Sequence, residues 1–150
     1  MAPMIVLTAA TLLAALFRPW RDATRAGLAV MFLFTASAHF TSTRHDLAAM
    51  IPPPFTGAMW LIYLTGLSEI AGAIGLTVRR TRKLAAICLV LMLVALFPAN
   101  VYAAVRDVPL RGSAPTPLWL RAPMQILWIG LLWWSSISRS HASRRGSYTS

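Results

Sequence analysis

Five polar side chains interrupt the apolar stretches of this chain: His39, Glu69, Asn100, Arg121 and Gln125. They offer a carboxyl group, an imidazole, a guanidinium and two amides, which is both donors and acceptors. Such a set can satisfy itself and so fix how helices pack. It can also hold a small polar head group, such as a quinone carbonyl or a lipid head. The remaining chemistry is harder to build. One histidine near an interface is not a metal site, and no group of ligands stands at metal-binding spacing. There is no Gly-x-Ser-x-Gly, no Walker-type loop and no dinucleotide fingerprint. No residue is assigned a catalytic role, and no cofactor is evident.

The elements that must position these residues follow from composition. Of 150 residues, 57% are hydrophobic and only 12% charged, with a mean hydropathy of +0.63. A soluble domain carries about a quarter charged residues, so this chain cannot coat a water-facing surface. An ordinary soluble enzyme and a disordered tail are excluded. The 14 Lys and Arg against 4 Asp and Glu would suggest nucleic acid on a soluble protein. Here they cluster between apolar runs, and no basic face alternates with exposed aromatics. The single Cys88 lies inside an apolar run and cannot form an internal disulfide.

Five apolar runs are read as membrane helices: Met1–Phe17, Ala26–Phe40, Ala58–Val78, Leu84–Ala104 and Leu118–Ile137. A spanning helix needs about 20 residues; the last three runs fit well and the first two are short. A signal peptide carries positive charge before its apolar core. In this chain Arg18, Arg21 and Arg25 follow the first run, so a retained helix with its N-terminus outside is expected. Counting Lys and Arg on that basis gives ten inside, among them Arg79, Arg80, Arg82 and Lys83, and four outside. This predicts a multi-pass protein with its C-terminus in the cytoplasm. The expected organisation is an N-terminal helix over 1–20, a bundle over 21–138 and a disordered basic tail over 139–150. Arg79–Lys83 is expected to be a tight inner turn. His45–Ile51 is expected as a short interfacial helix stopped by Pro52, Pro53 and Pro54, with His45 and Asp46 in a wet loop. Trp60, Tyr63, Tyr102, Trp119, Trp133 and Trp134 are expected as an interfacial aromatic belt.

With the helices placed, Glu69 becomes the most informative residue. It lies roughly 16 Å into its run, and an acid at that depth costs about 2.5–3.5 kcal/mol on insertion scales. It must face other helices and have a partner, or be protonated. Thr65, Gly66, Gly72 and Ala73 lie three or four residues away and share its face, which marks a close-packing face. Arg121 and Gln125 share one face of the last run, Asn100 follows Pro98, and His39 has Thr35 one turn below. All belong to the outer half of the bilayer and are expected to converge, with Arg121 as counter-charge to Glu69. Trp128 shares the Arg121 face and is expected either as core packing or as a wall for a flat ligand. A proton path is disfavoured, because no acid or histidine continues through the inner half.

These residues together resemble the DoxX-like family of small bacterial membrane proteins. The resemblance is carried by His39-Phe40 ending one helix, Pro52-Pro53 before the next, and Gly66 followed by Glu69. Arg79-Arg80, Pro98-Ala99-Asn100 and Arg121 with Gln125 complete it, over about residues 20–137. It implies a core four-helix bundle to which Met1–Phe17 is added, in the bacterial inner membrane. It also raises the expectation of a quinone-linked accessory subunit of a membrane oxidoreductase, with quinone as the candidate cofactor and a redox subunit or quinone as the candidate partner. Some distant relatives are assembly chaperones. The expectation is therefore an all-α membrane protein, an antiparallel four-helix transmembrane bundle plus an additional N-terminal transmembrane helix. Its ligand-binding or buried polar network is His39, Glu69, Asn100, Arg121 and Gln125. The alternative is a non-catalytic binding or assembly protein in which the network is purely structural. The lipid bilayer is the partner in both, with no nucleic acid and no metal.

Overall fold

The computed structural model describes residues 2–110, 112 and 116–138. The expected disordered tail over 139–150 lies outside them. Among the described residues every regular element is helical: α1 (Ala2–Ala15), α2 (Trp20–Ser37), α3 (Arg44–Ala49), α4 (Met59–Thr77), α5 (Arg82–Val105) and α6 (Leu118–Leu132), the last running into a π-turn over Trp133–Ile137. Two helices are long and apolar enough to cross a membrane: α4, with 19 residues and a mean hydropathy of 1.4, and α5, with 24 residues and 2.5.

Helix ends depart from the apolar runs in instructive ways. α1 stops at Ala15 after 14 residues, about 21 Å of helix against a hydrocarbon core of about 30 Å. α2 begins at Trp20, with Pro19 as its N-cap, because proline sets φ for a helix start and needs no amide donor. Arg21, Asp22 and Arg25 are therefore helical and not part of a loop. Arg82 and Lys83 likewise belong to α5, so the inner turn contracts to residues 78–81. His45 and Asp46, expected in a wet loop, lie in the short helix α3. At the far end, the Ser138 amide donates to the Trp133 carbonyl at 2.9 Å, an i to i+5 bond that closes the π-turn.

Packing gives a ring. α2 packs against α4, α4 against α5, α5 against α6 and the π-turn, and these against α2; α1 lies against α2 alone among its principal contacts. Glycines set the close approaches. A Cβ on Gly72 would come within 2.5 Å of Leu89, and one on Gly75 within 2.7 Å of Ala85. Backbones this close gain dispersion where lipid offers no hydrophobic driving force between helices. The core is Leu28, Met31, Phe32, Ala73, Leu76, Ala86, Leu89 and Leu132, with Leu7 of α1 reaching it. It fills the half of the bundle nearer the arginine-rich end. Large apolar side chains also face outward: Leu64, Leu67 and Ile74 on α4, Leu91 and Val94 on α5, Ile126 on α6. Trp60, Trp119, Trp133 and Trp134 are exposed as well.

Candidate functional site

Glu69 stands on the α4 face that carries Gly66, Gly72 and Ala73, all four buried. With only 7% of its surface exposed, its carboxylate must be met by protein groups. The Thr35 hydroxyl donates to Glu69 Oε2 at 2.9 Å. His39 Nε2 stands 3.8 Å from the same oxygen, beyond a direct hydrogen bond. The other imidazole nitrogen, Nδ1, lies 3.3 Å from the Thr65 hydroxyl. Thr65 itself donates back to the Leu61 and Ile62 carbonyls at 2.9 Å. Gly66 admits the ring, since a Cβ there would lie 2.6 Å from His39 Cβ. Thr35 near the end of α2 and His39 in the turn that follows it stand four residues apart, and α4 supplies Thr65 and Glu69 one turn apart. The result is a four-residue clasp between two antiparallel helices.

The remaining three residues form a second group. The Arg121 guanidinium donates to Asn100 Oδ1 at 3.1 Å, joining α6 to α5. Gln125 is buried, and its amide donates to the Leu93 carbonyl at 2.8 Å. Pro98 removes the amide that would bond to Val94, so this contact falls on the α5 turn beside the break. Gln125 thus serves the proline-weakened helix. Trp128 packs against the apolar core, and its indole nitrogen is buried without a hydrogen-bond partner.

The expected single network is thus two, and the expected Glu69–Arg121 ion pair is not formed. Its physical reason is helix order. Glu69 is on α4, whose neighbours are α2, α3 and α5, whereas Arg121 is on α6, whose neighbours are α5, the π-turn and α2. The two residues sit on opposite members of the ring. Each finds a partner on the neighbouring segment: Thr35 on α2 and His39 just beyond it for the acid, Asn100 on α5 for the cation. Thr35 and Thr65 complete the first cluster, and their one-turn spacing from His39 and Glu69 is the signal for them.

The opposite end of the bundle carries a third group, which joins α2 to the π-turn. Arg21 donates to the Ser138 carbonyl and hydroxyl, both at 3.1 Å, and its guanidinium lies 5.3 Å from the Trp134 ring centroid. Arg25 donates to the Ser135 carbonyl and pairs with Asp22. A cavity of about 350 Å³ opens beside them, lined by residues that include Arg18, Arg79 and Arg82. No group of three or more His, Cys, Asp or Glu among the described residues is placed to hold a metal.

Fold and site together define an all-helical protein with an outward apolar surface, internal polar clasps and one basic end. Residues 28–136 match the family described as Domain of unknown function (DUF8561), and the chain belongs to that family. No curated protein and no solved structure matches it. This family assignment overturns the DoxX resemblance. The motifs that carried it are short pairs and triplets, such as Pro52-Pro53 and Arg79-Arg80, which serve any small helical membrane protein.

Proposed function

We propose that the chain is a multi-pass integral membrane protein of non-catalytic, binding or assembly type, in which the polar clusters fix helix register. Its spans are α1, residues 26–40, α4, α5 and α6 with the π-turn, making a four-helix transmembrane bundle plus an N-terminal helix. The observation that carries this reading is the inversion of polarity. Leu67 is 61% exposed, Leu91 63% and Ile126 71%, while Glu69 is 7%. A protein facing water would reverse that order; one facing lipid must adopt it, because an acid in hydrocarbon is costly. The arginine-rich end is placed at the cytoplasmic face of an inner membrane, with the N-terminus outside.

A Cys88→Ser chain with single cysteines at Ser42 or Arg80 tests this. An impermeant maleimide on intact cells should label the Ser42 site and spare Arg80 until the membrane is opened. The reverse pattern would invert the orientation, and release of the chain by alkaline carbonate would overturn the membrane reading itself.

A second reading is favoured by the 3.8 Å separation of His39 Nε2 and Glu69 Oε2. A gap of this size leaves room for a further polar group between them: a quinone carbonyl accepting from an imidazole N–H, or a lipid head group donating to the carboxylate, entering from the outer leaflet. On this reading the protein is an accessory subunit of a quinone-linked process, with electrons supplied by a partner. Mass spectrometry of the protein purified from membrane separates the two. A stoichiometric quinone or lipid that disappears in Glu69→Gln supports the second reading, and its absence from the unmodified chain supports the first.

A further inference from the structure

We propose that the basic end of the bundle is a binding site for the phosphate of an anionic lipid head group. The proposal rests on the membrane reading above. The cavity of about 350 Å³ brings together Arg18 before α2, Arg25 on α2, Arg79 in the α4–α5 turn and Arg82 on α5, with Asp22 and Leu76 also in its wall. Four guanidiniums thus come from two separate stretches of chain, 18–25 and 79–82, against one carboxylate. That carboxylate is engaged, since Asp22 pairs with Arg25.

Gathering like charges opposes folding unless an anion relieves it. Arg25 precedes the apolar stretch that starts at Ala26. Its pKa is lowered by burial and by the like charges of Arg82, Arg21 and Arg79. Arginine forks match phosphate oxygens in geometry as well as charge.

The rest of the cavity wall argues for a lipid over a free anion. Leu76 belongs to the apolar core and Thr77 also lines the cavity. Beside Thr77 in the chain, Ile74 and Val78 are exposed. A head group seated among Arg18, Arg79 and Arg82 would therefore lay its acyl chains along an apolar helix face. An inorganic phosphate has no use for that face.

The test is native mass spectrometry of the full chain in detergent with added phosphatidylglycerol or phosphatidylcholine. The unmodified protein should retain phosphatidylglycerol about tenfold more, as expected for two or more arginines near a phosphate. Arg18→Gln with Arg79→Gln should bring the two lipids close to parity, whereas Arg106→Gln at the other end should not. Equal retention by the unmodified chain overturns the proposal. So does an equal loss in Arg106→Gln, which would make the preference one of net charge. Displacement of the phospholipid by millimolar inorganic phosphate would reassign the site to a free anion. Carbonate extraction of the same preparation keeps the two claims apart. A carbonate-resistant chain without lipid preference sinks this proposal alone, and a carbonate-soluble chain sinks the membrane reading with it.

Discussion

Thr35 donates its hydroxyl hydrogen to Glu69 across the α2–α4 interface, at 2.9 Å, and this bond, not an arginine, is what meets the buried acid. Its consequence is that Glu69 and Arg121 are energetically separate. Thr35→Val should lower stability in detergent by about 0.5–1.5 kcal/mol, the range for an interhelical hydrogen bond in a membrane protein. In double-mutant cycles, Thr35→Val with Glu69→Gln should couple by at least about 0.5 kcal/mol, while Glu69→Gln with Arg121→Met should add within about 0.5 kcal/mol. Strong coupling of the second pair would restore the single network.

Glycines on the same helix should divide by their neighbours. At Gly72 a new methyl would meet Leu89 at 2.5–2.9 Å, and Leu89 is 1% exposed and has nowhere to move. Gly72→Ala should therefore destabilise by about 1–3 kcal/mol, the cost of overpacking. Gly130 on α6 has nothing within 4 Å of its would-be Cβ. Gly130→Ala should stabilise by about 0.5–1 kcal/mol through reduced backbone freedom. Thermal unfolding of both variants in one detergent reads the contrast directly, and a shared sign would contradict the packing described.

These two results mark where the sequence is informative. The small residues flanking Glu69 at three and four positions identify its packing face, because helical periodicity fixes which residues share a side. Position along a helix is legible too, through the rise per residue. Which helix stands opposite is not, because periodicity says nothing of the order of helices around the ring. Depth and charge pair Glu69 with Arg121, yet α4 and α6 are not principal neighbours, so an ion pair inferred from those two alone is misplaced. Arg25 shows the same limit: its position in the chain marks the flank of an apolar run, but its contact with the Ser135 carbonyl depends on how the π-turn returns to α2.

Cys88 offers a direct probe of the solvent around α5. Its side chain is exposed and lies six residues beyond the helix start at Arg82, roughly 9 Å along the axis. If water surrounded it, a charged maleimide would modify it quickly. In a bilayer the impermeant reagent should fail in membranes, while a small neutral maleimide reacts slowly and denaturation in detergent releases full reactivity. Rapid modification by the charged reagent in sealed membranes would show that this face of α5 is wet.

Arg25 should prove the least replaceable of the arginines at the basic end of the bundle. Its side chain is 12% exposed, and it joins α2 to the π-turn through Ser135 while also holding Asp22. Two partners in different directions suit a planar fork and not a single ammonium. Arg25→Leu removes a charged donor from a buried carbonyl and leaves Asp22 without its cation, which should cost about 1.5–3 kcal/mol. Arg25→Lys retains the charge but reaches only one partner at a time, and should recover no more than about half of that loss. Arg79→Gln is the comparison, because Arg79 is exposed on the turn; it should change stability by less than about 0.5 kcal/mol. Unfolding midpoints for the three variants decide the matter, and full rescue by lysine would mean that charge alone, without the forked geometry, holds the α2 end to the π-turn.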